Sequence, residues 1–153
     1  MIAMRWWAFC VLTGCTALEA PNTSISVPVR NPTASVASQS DVTVGRLSGS
    51  WWIVQGAGVA PGGMVRVEAE RIVLDGVALP LRPLGEGRFR MGDEVVWVHW
   101  LDFDNRTAAL GNPDGSRVWI MDRIGDPGER LDAARDVLAW YGYDVSRLDG
   151  TPQ

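Results

Sequence analysis

The chain has 153 residues, 46% of them hydrophobic and 21% charged, with a formal net charge of −4 and an isoelectric point near 4.9. That length suits one domain with a tail, and the charged fraction excludes wholesale disorder. All 14 basic residues are arginines scattered singly along the chain, so there is no basic cluster of the kind nucleic acids need. One histidine and two cysteines are too few for a zinc site of the Cys/His kind.

The chain opens on Met1-Ile-Ala-Met-Arg5, a short positive start, followed by an apolar stretch from Trp6 to Gly14. This stretch falls far short of the ~20 residues that span a bilayer as a helix, and it reads as a secretory signal over 1–14. Its exit, Leu12-Thr13-Gly14-Cys15, resembles the lipobox of bacterial lipoproteins. The resemblance implies cleavage before Cys15, diacylglyceryl attachment to its sulfur and acylation of the new amine. Cys10 leaves with the signal, so no intrachain disulfide can form. Thr16 stands where an aspartate would favour retention at the inner membrane. By the same resemblance the address is the outer membrane, with the domain facing the periplasm and the membrane reached through acylated Cys15. Several acyl chains on one cysteine anchor stably where one would not.

Residues 16–45 hold nine Ser or Thr, three prolines, three charges and no aromatic. Together with Cys15 they read as a flexible tether, with a coil reach of roughly 30 Å for 30 residues. From Arg46 the texture changes to short Val-, Ile-, Trp- and Leu-rich runs broken by Gly, Pro, Asp or Asn. Strands are expected near 49–56, 64–69, 71–75, 77–82, 87–91, 94–102, 107–111 and 117–123. Tight turns at Asp75-Gly76, Gly85-Glu86-Gly87 and Pro113-Asp114-Gly115 join them. Eight consecutive strands with such short connections predict an all-β, up-and-down antiparallel barrel.

The period then lengthens. Asp126-Pro127-Gly128-Glu129 offers an N-cap, a proline at the first helical position and a capping-box glutamate. Leu131, Ala134, Leu138 and Tyr141 follow at helical spacing, and Gly142 stops the helix. This helix is expected on the barrel's outer wall, with a further short strand at 143–148.

Three features together resemble the lipocalin family, and within it the bacterial outer-membrane lipocalins related to apolipoprotein D. They are Gly49-Ser50-Trp51, the run Gly111-Asn-Pro-Asp114 leading into Val118-Trp119-Ile-Met-Asp-Arg123, and Gly142-Tyr143-Asp-Val-Ser-Arg-Leu148. The resemblance covers residues 46–149 and implies that Trp51 closes the barrel floor with Arg123 lying across it, a pairing worth roughly 0.5–2 kcal/mol. Gly49 and Trp119 complete the family pattern. Asn105 stands where the family's middle motif carries tyrosine. The middle strands are short, so the wall should be on the order of 12–15 Å high. The resemblance also implies a small hydrophobic ligand, such as a fatty acid or lysophospholipid, with Phe89, Trp97 and His99 as wall residues.

Catalytic chemistry finds little footing. His99 is the one candidate general base, and neither G-x-S-x-G nor S-x-x-K accompanies it. The glycine-rich run 56–63 lacks the lysine of a phosphate loop and reads as a flexible loop at the barrel mouth. The expectation is a protein without enzymatic activity, cofactor or metal. An alternative of another class is a small envelope barrel that binds and inhibits an enzyme, such as a protease or lysozyme, through 16–45 or 56–63.

Overall fold

The computed structural model describes residues 27–150. The eight barrel strands are β1 (Gly49–Ala57), β2 (Met64–Val67), β3 (Arg71–Leu74), β4 (Val77–Gly85), β5 (Arg88–Met91), β6 (Glu94–Leu101), β7 (Thr107–Gly111) and β8 (Val118–Asp122). Each pairs antiparallel with its successor, and β8 returns to pair with β1, which also pairs with β2. The cylinder is therefore closed, an up-and-down barrel as the turn spacing predicts. A one-turn helix, α1 (Val44–Leu47), precedes β1, and α2 (Arg130–Trp140) follows β8.

Two hydrophobic clusters result. Inside the barrel, Trp51, Ile53, Val65, Leu74, Leu79, Val98, Trp119 and Met121 are among the side chains that pack together. Outside it, Ala134 and Leu138 of α2 bury against Ala109, Val118 and Ile120, which are the outward positions of β7 and β8. Because α2 covers that wall, β7 and β8 are buried on both faces and read as continuous apolar runs.

Three expectations change. Residues 27–45 are packed chain, not tether: Val29 and Val42 are buried, and Arg30 forms a β-bridge with Tyr143. The backbone of Gln39 bonds Val98, and its side chain accepts from the Leu101 amide at 2.8 Å. β5 pairs β6 only as far as Trp97, so this strap takes over the β6 edge beyond it. Composition reflects apolar area alone, whereas this segment is held largely by hydrogen bonds to a strand edge. The compact unit thus begins well before residue 46.

The second change is at α2, whose N-cap is Glu129, in helical conformation and without a side-chain cap bond. Gly128, at φ 58°, interrupts the helical backbone, so Asp126 and Pro127 cannot serve as N-cap and first residue. Third, 143–148 is not a strand. The Asp144 carboxylate accepts from the Ser146 amide and starts a 3-10 turn, Val145–Arg147, before a two-residue strand, β9 (Asp149–Gly150), pairs with β1.

Candidate functional site

At the barrel end where β1 begins, Arg123 lies across Trp51, with its guanidinium carbon 3.6 Å from the ring centroid. Its three nitrogens donate to the carbonyls of Asn105 (3.0 Å), Ser48 (2.7 Å) and Arg46 (3.1 Å). Trp51 is fully buried, and its indole N–H donates to the Leu47 carbonyl at 2.7 Å. Gly49 has φ 110°, and a Cβ there would meet Arg123 Nη1 at 2.8 Å, so two separate constraints demand glycine. Asn105 occupies the left-handed region at φ 56°, where asparagine is tolerated, and accepts from Arg46 Nε at 2.8 Å. All three nitrogens of Arg123 bond backbone carbonyls, which makes this pair a structural closure of the barrel.

Within the barrel lies a small void of about 20 Å³, room for roughly one water molecule. Ten side chains line it, all apolar in character, among them Leu47, Val67, Phe89, Met91, Trp119 and Met121. At the opposite end from Trp51, the 58–63 connection folds inward and buries Val59 in the interior cluster. The Val59 carbonyl would lie 2.3 Å from a Cβ on Gly56, so the run expected to be a flexible mouth loop is a close-packed stopper. Trp119 is 1% exposed, and its indole Nε1 has no hydrogen-bond partner. An unsatisfied buried donor costs about 1–3 kcal/mol.

Of the expected wall residues, Phe89 faces the interior, but Trp97 and His99 do not. Both sit on the outer face of β6, while Val96 and Val98 fill the inside. The run from Val95 to Leu101 is apolar on both faces because the strap and the α2 end cover the outside. Its alternation therefore carries no phase, and the wrong face was inferred. Trp97 is half-buried under Arg88, whose guanidinium carbon is 4.4 Å from the ring centroid.

His99 is the hub of a buried polar network. Its Nδ1 donates to the Ala37 carbonyl at 2.7 Å, and its Nε2 lies 2.9 Å from the Tyr143 hydroxyl. That hydroxyl is also 2.9 Å from the Asn112 carbonyl. Burial pushes the imidazole down to about 4, opposed by the Ala37 bond and assisted by the charge of Arg30. Burial also raises the Tyr143 phenol. Arg30 ties the assembly together by donating to the carbonyls of Tyr141, Pro113 and Ala34. Gly111 is required here, since a Cβ would meet the Tyr143 hydroxyl at 2.6 Å. Nothing in the sequence marks the part Arg30 and Gln39 play, and Tyr143 stands out only as a member of the 142–148 segment. No short-range pattern announces them, because apart from the Arg30–Ala34 bond their partners lie 31 to 111 residues away.

Asp102 accepts from the amides of Arg106 and Thr107, so its carboxylate caps the β6–β7 turn. Among the described residues no three His, Cys, Asp or Glu side chains come together as a metal site would need. The signal region and Cys15 lie outside the described residues.

No protein-family model matches this chain, and neither does any curated protein. Among solved structures it is similar to the cockroach major allergen Per a 4, a lipocalin, at TM-score 0.59 and 11% identity, over 80% of this chain and 96% of that one. The likeness shows a lipocalin-type barrel fold.

Proposed function

We propose that the chain is a lipocalin-like binding protein for a small hydrophobic molecule, taken up inside the barrel. The observation that supports this is the central void, walled by ten apolar side chains. Two of them, Met91 and Met121, are unbranched and flexible, so the wall can re-pack around a guest. Affinity would come from apolar burial at ~25 cal/mol per Å². At about 20 Å³ the void admits a guest, including the fatty acid or lysophospholipid the family resemblance implies, only as this wall re-packs. Titration of the domain with a graded series of hydrophobic molecules, read by tryptophan fluorescence and calorimetry, tests the reading; silence across the series ends it. We further propose that acylated Cys15 anchors the protein in the outer membrane, with the domain in the periplasm, and that it acts by binding and not by catalysis. Incorporation of labelled palmitate that vanishes in Cys15→Ser supports the anchor, and incorporation that persists rejects it.

The nearly filled interior also favours a second reading, in which the barrel presents its surface to an envelope enzyme and inhibits it. The candidate inserting segments are 16–45, of which 27–45 is packed on the barrel, and 56–63. With Val59 buried, that loop has little to extend, which places this reading second. Inhibition assays against periplasmic proteases and lysozymes discriminate the two.

A further inference from the structure

Both ends of the cylinder are shut. At the floor, Arg123 covers Trp51 and bonds three carbonyls. At the opposite end Val59 is turned into the interior cluster. On that same end, where β6 and β8 begin and β7 finishes, Arg117 donates to the Glu94 carboxylate, which also accepts from Asn112 Nδ2 at 3.2 Å. The Arg117 side chain is 3% exposed, so parting this ion pair would strand a buried charge. A guest bound for the void needs another route, and the side wall supplies one.

At the floor end, where β4 turns into β5, an open cleft of about 350 Å³ lies between this connection and residues 40–45 of the strap. Phe89 lines the cleft and also lines the void. One ring therefore borders both spaces. The backbone that carries it is weakly tied: Phe89 pairs with Pro83, which has no N–H for the ladder, and the register slips between Pro83 and Gly85. Apolar Val42, Val44 and Pro83 share the cleft with polar Ser40, Thr43 and Arg88.

We propose that this cleft is the entrance to the barrel interior, that Phe89 is its door, and that the guest is a chain-shaped amphiphile. This rests on the binding reading above and narrows it. With the ring turned aside, void and cleft join into one elongated site. An apolar chain then threads past Val42 into the interior, while its polar end stays in the cleft beside Ser40, Thr43 and Arg88. A guest polar at both ends is excluded, because one end would lose its hydration among void-lining side chains that are all apolar.

Stopped-flow mixing with cis-parinaric acid, a linear fluorescent amphiphile, tests the assignment. Ser40 is exposed, so Ser40→Trp fills the cleft from outside and leaves the core alone. It should slow association by about 10- to 100-fold, and unchanged association overturns the entrance. Phe89→Ala should speed association and dissociation together by about 10-fold or more, since a door slows passage both ways, whereas a change in dissociation alone marks a plain wall residue and overturns the door. Should Phe89→Ala fail to fold, Phe89→Leu takes its place, and Ser40→Trp decides the entrance by itself. Val59→Ala should leave association unchanged, and faster association there would move the entrance to the other end and overturn the proposal. Saturable binding with the wrong kinetic pattern thus rejects this route while the binding reading stands. Absence of binding to the wild type, by this probe and by the hydrophobic series, rejects both.

Discussion

His99 makes the stability of this domain depend on pH in a way that can be isolated, because it is the only histidine in the chain. It is 3% exposed, and burial lowers its pKa from the usual 6.5 to about 4. A depressed histidine folds as the neutral form, so its contribution is complete above the unfolded value of 6.5. That contribution drains away as pH falls toward 4 and is constant below. A shift from 6.5 to about 4 corresponds to about 3 kcal/mol in all, of which about 2 kcal/mol should be lost between pH 7.5 and pH 5. The assay is urea unfolding at half-unit steps of pH for wild type and His99→Gln. Asp41 and Asp144 sit below the ordinary carboxylate range, held mainly by bonds to Gln39 and Ser146 respectively. Both proteins share these groups, so their titration cancels in the difference. The wild type should lose about 2 kcal/mol more than the variant over that interval. Parallel losses, or an imidazole titrating near 6.5 by NMR in the folded protein, would refute the claim that this ring is buried and neutral.

Trp51→Ala should cost about 3–5 kcal/mol in denaturant unfolding, as expected for a large buried aromatic, and a loss below ~1 kcal/mol would show that it does not close the floor. Arg123→Lys should cost about 1–3 kcal/mol. Its effect should couple to that of Trp51→Phe by ~0.5–3 kcal/mol in a double-mutant cycle, whereas additivity would separate the two residues. Gly49→Ala should lose about 1–3 kcal/mol by the same assay, since it forces a Cβ into a positive-φ site beside Arg123. Gln39→Ala should speed hydrogen exchange at the Leu101 amide, which loses its acceptor, and unchanged protection would mean the strap does not seal β6.

What the sequence made legible was whatever short-range pattern encodes. Alternation and turn dipeptides located all eight strands to within a few residues. The helical spacing of Leu131, Ala134 and Leu138 found α2, and the Gly49–Trp51 and Arg123 motifs marked the floor. Features fixed by distant partners stayed hidden. Residues 27–45 look like a linker because the groups that hold them lie some sixty residues away: the Gln39 side chain bonds the Leu101 backbone, and His99 donates to the Ala37 carbonyl. The run from Val95 to Leu101 does not tell its two faces apart, because the outer His99 and Trp97 are themselves covered and alternate with buried valines. The fine structure of the helix start was lost to a single backbone angle at Gly128.

The cylinder has two seams where neighbouring chain parts early: beyond Ile53, which still bonds Gly62 and Gly63, on the β2 side of β1, and beyond Val98, whose amide bonds Gly87, on the β5 side of β6. Each is stitched by a segment far away in the chain: β9 lies along Gln55 and Gly56, and the strap lies along Val98 and Leu101. The wall is thus complete only when the earliest and latest described segments have both docked. Such long-range closure slows folding, because each stitch closes a large loop before any contact rewards it. It also gives unfolding a place to start. Peeling either end bares a strand edge while the centre still holds, so the first partly open species should be one with an unzipped seam and an intact floor.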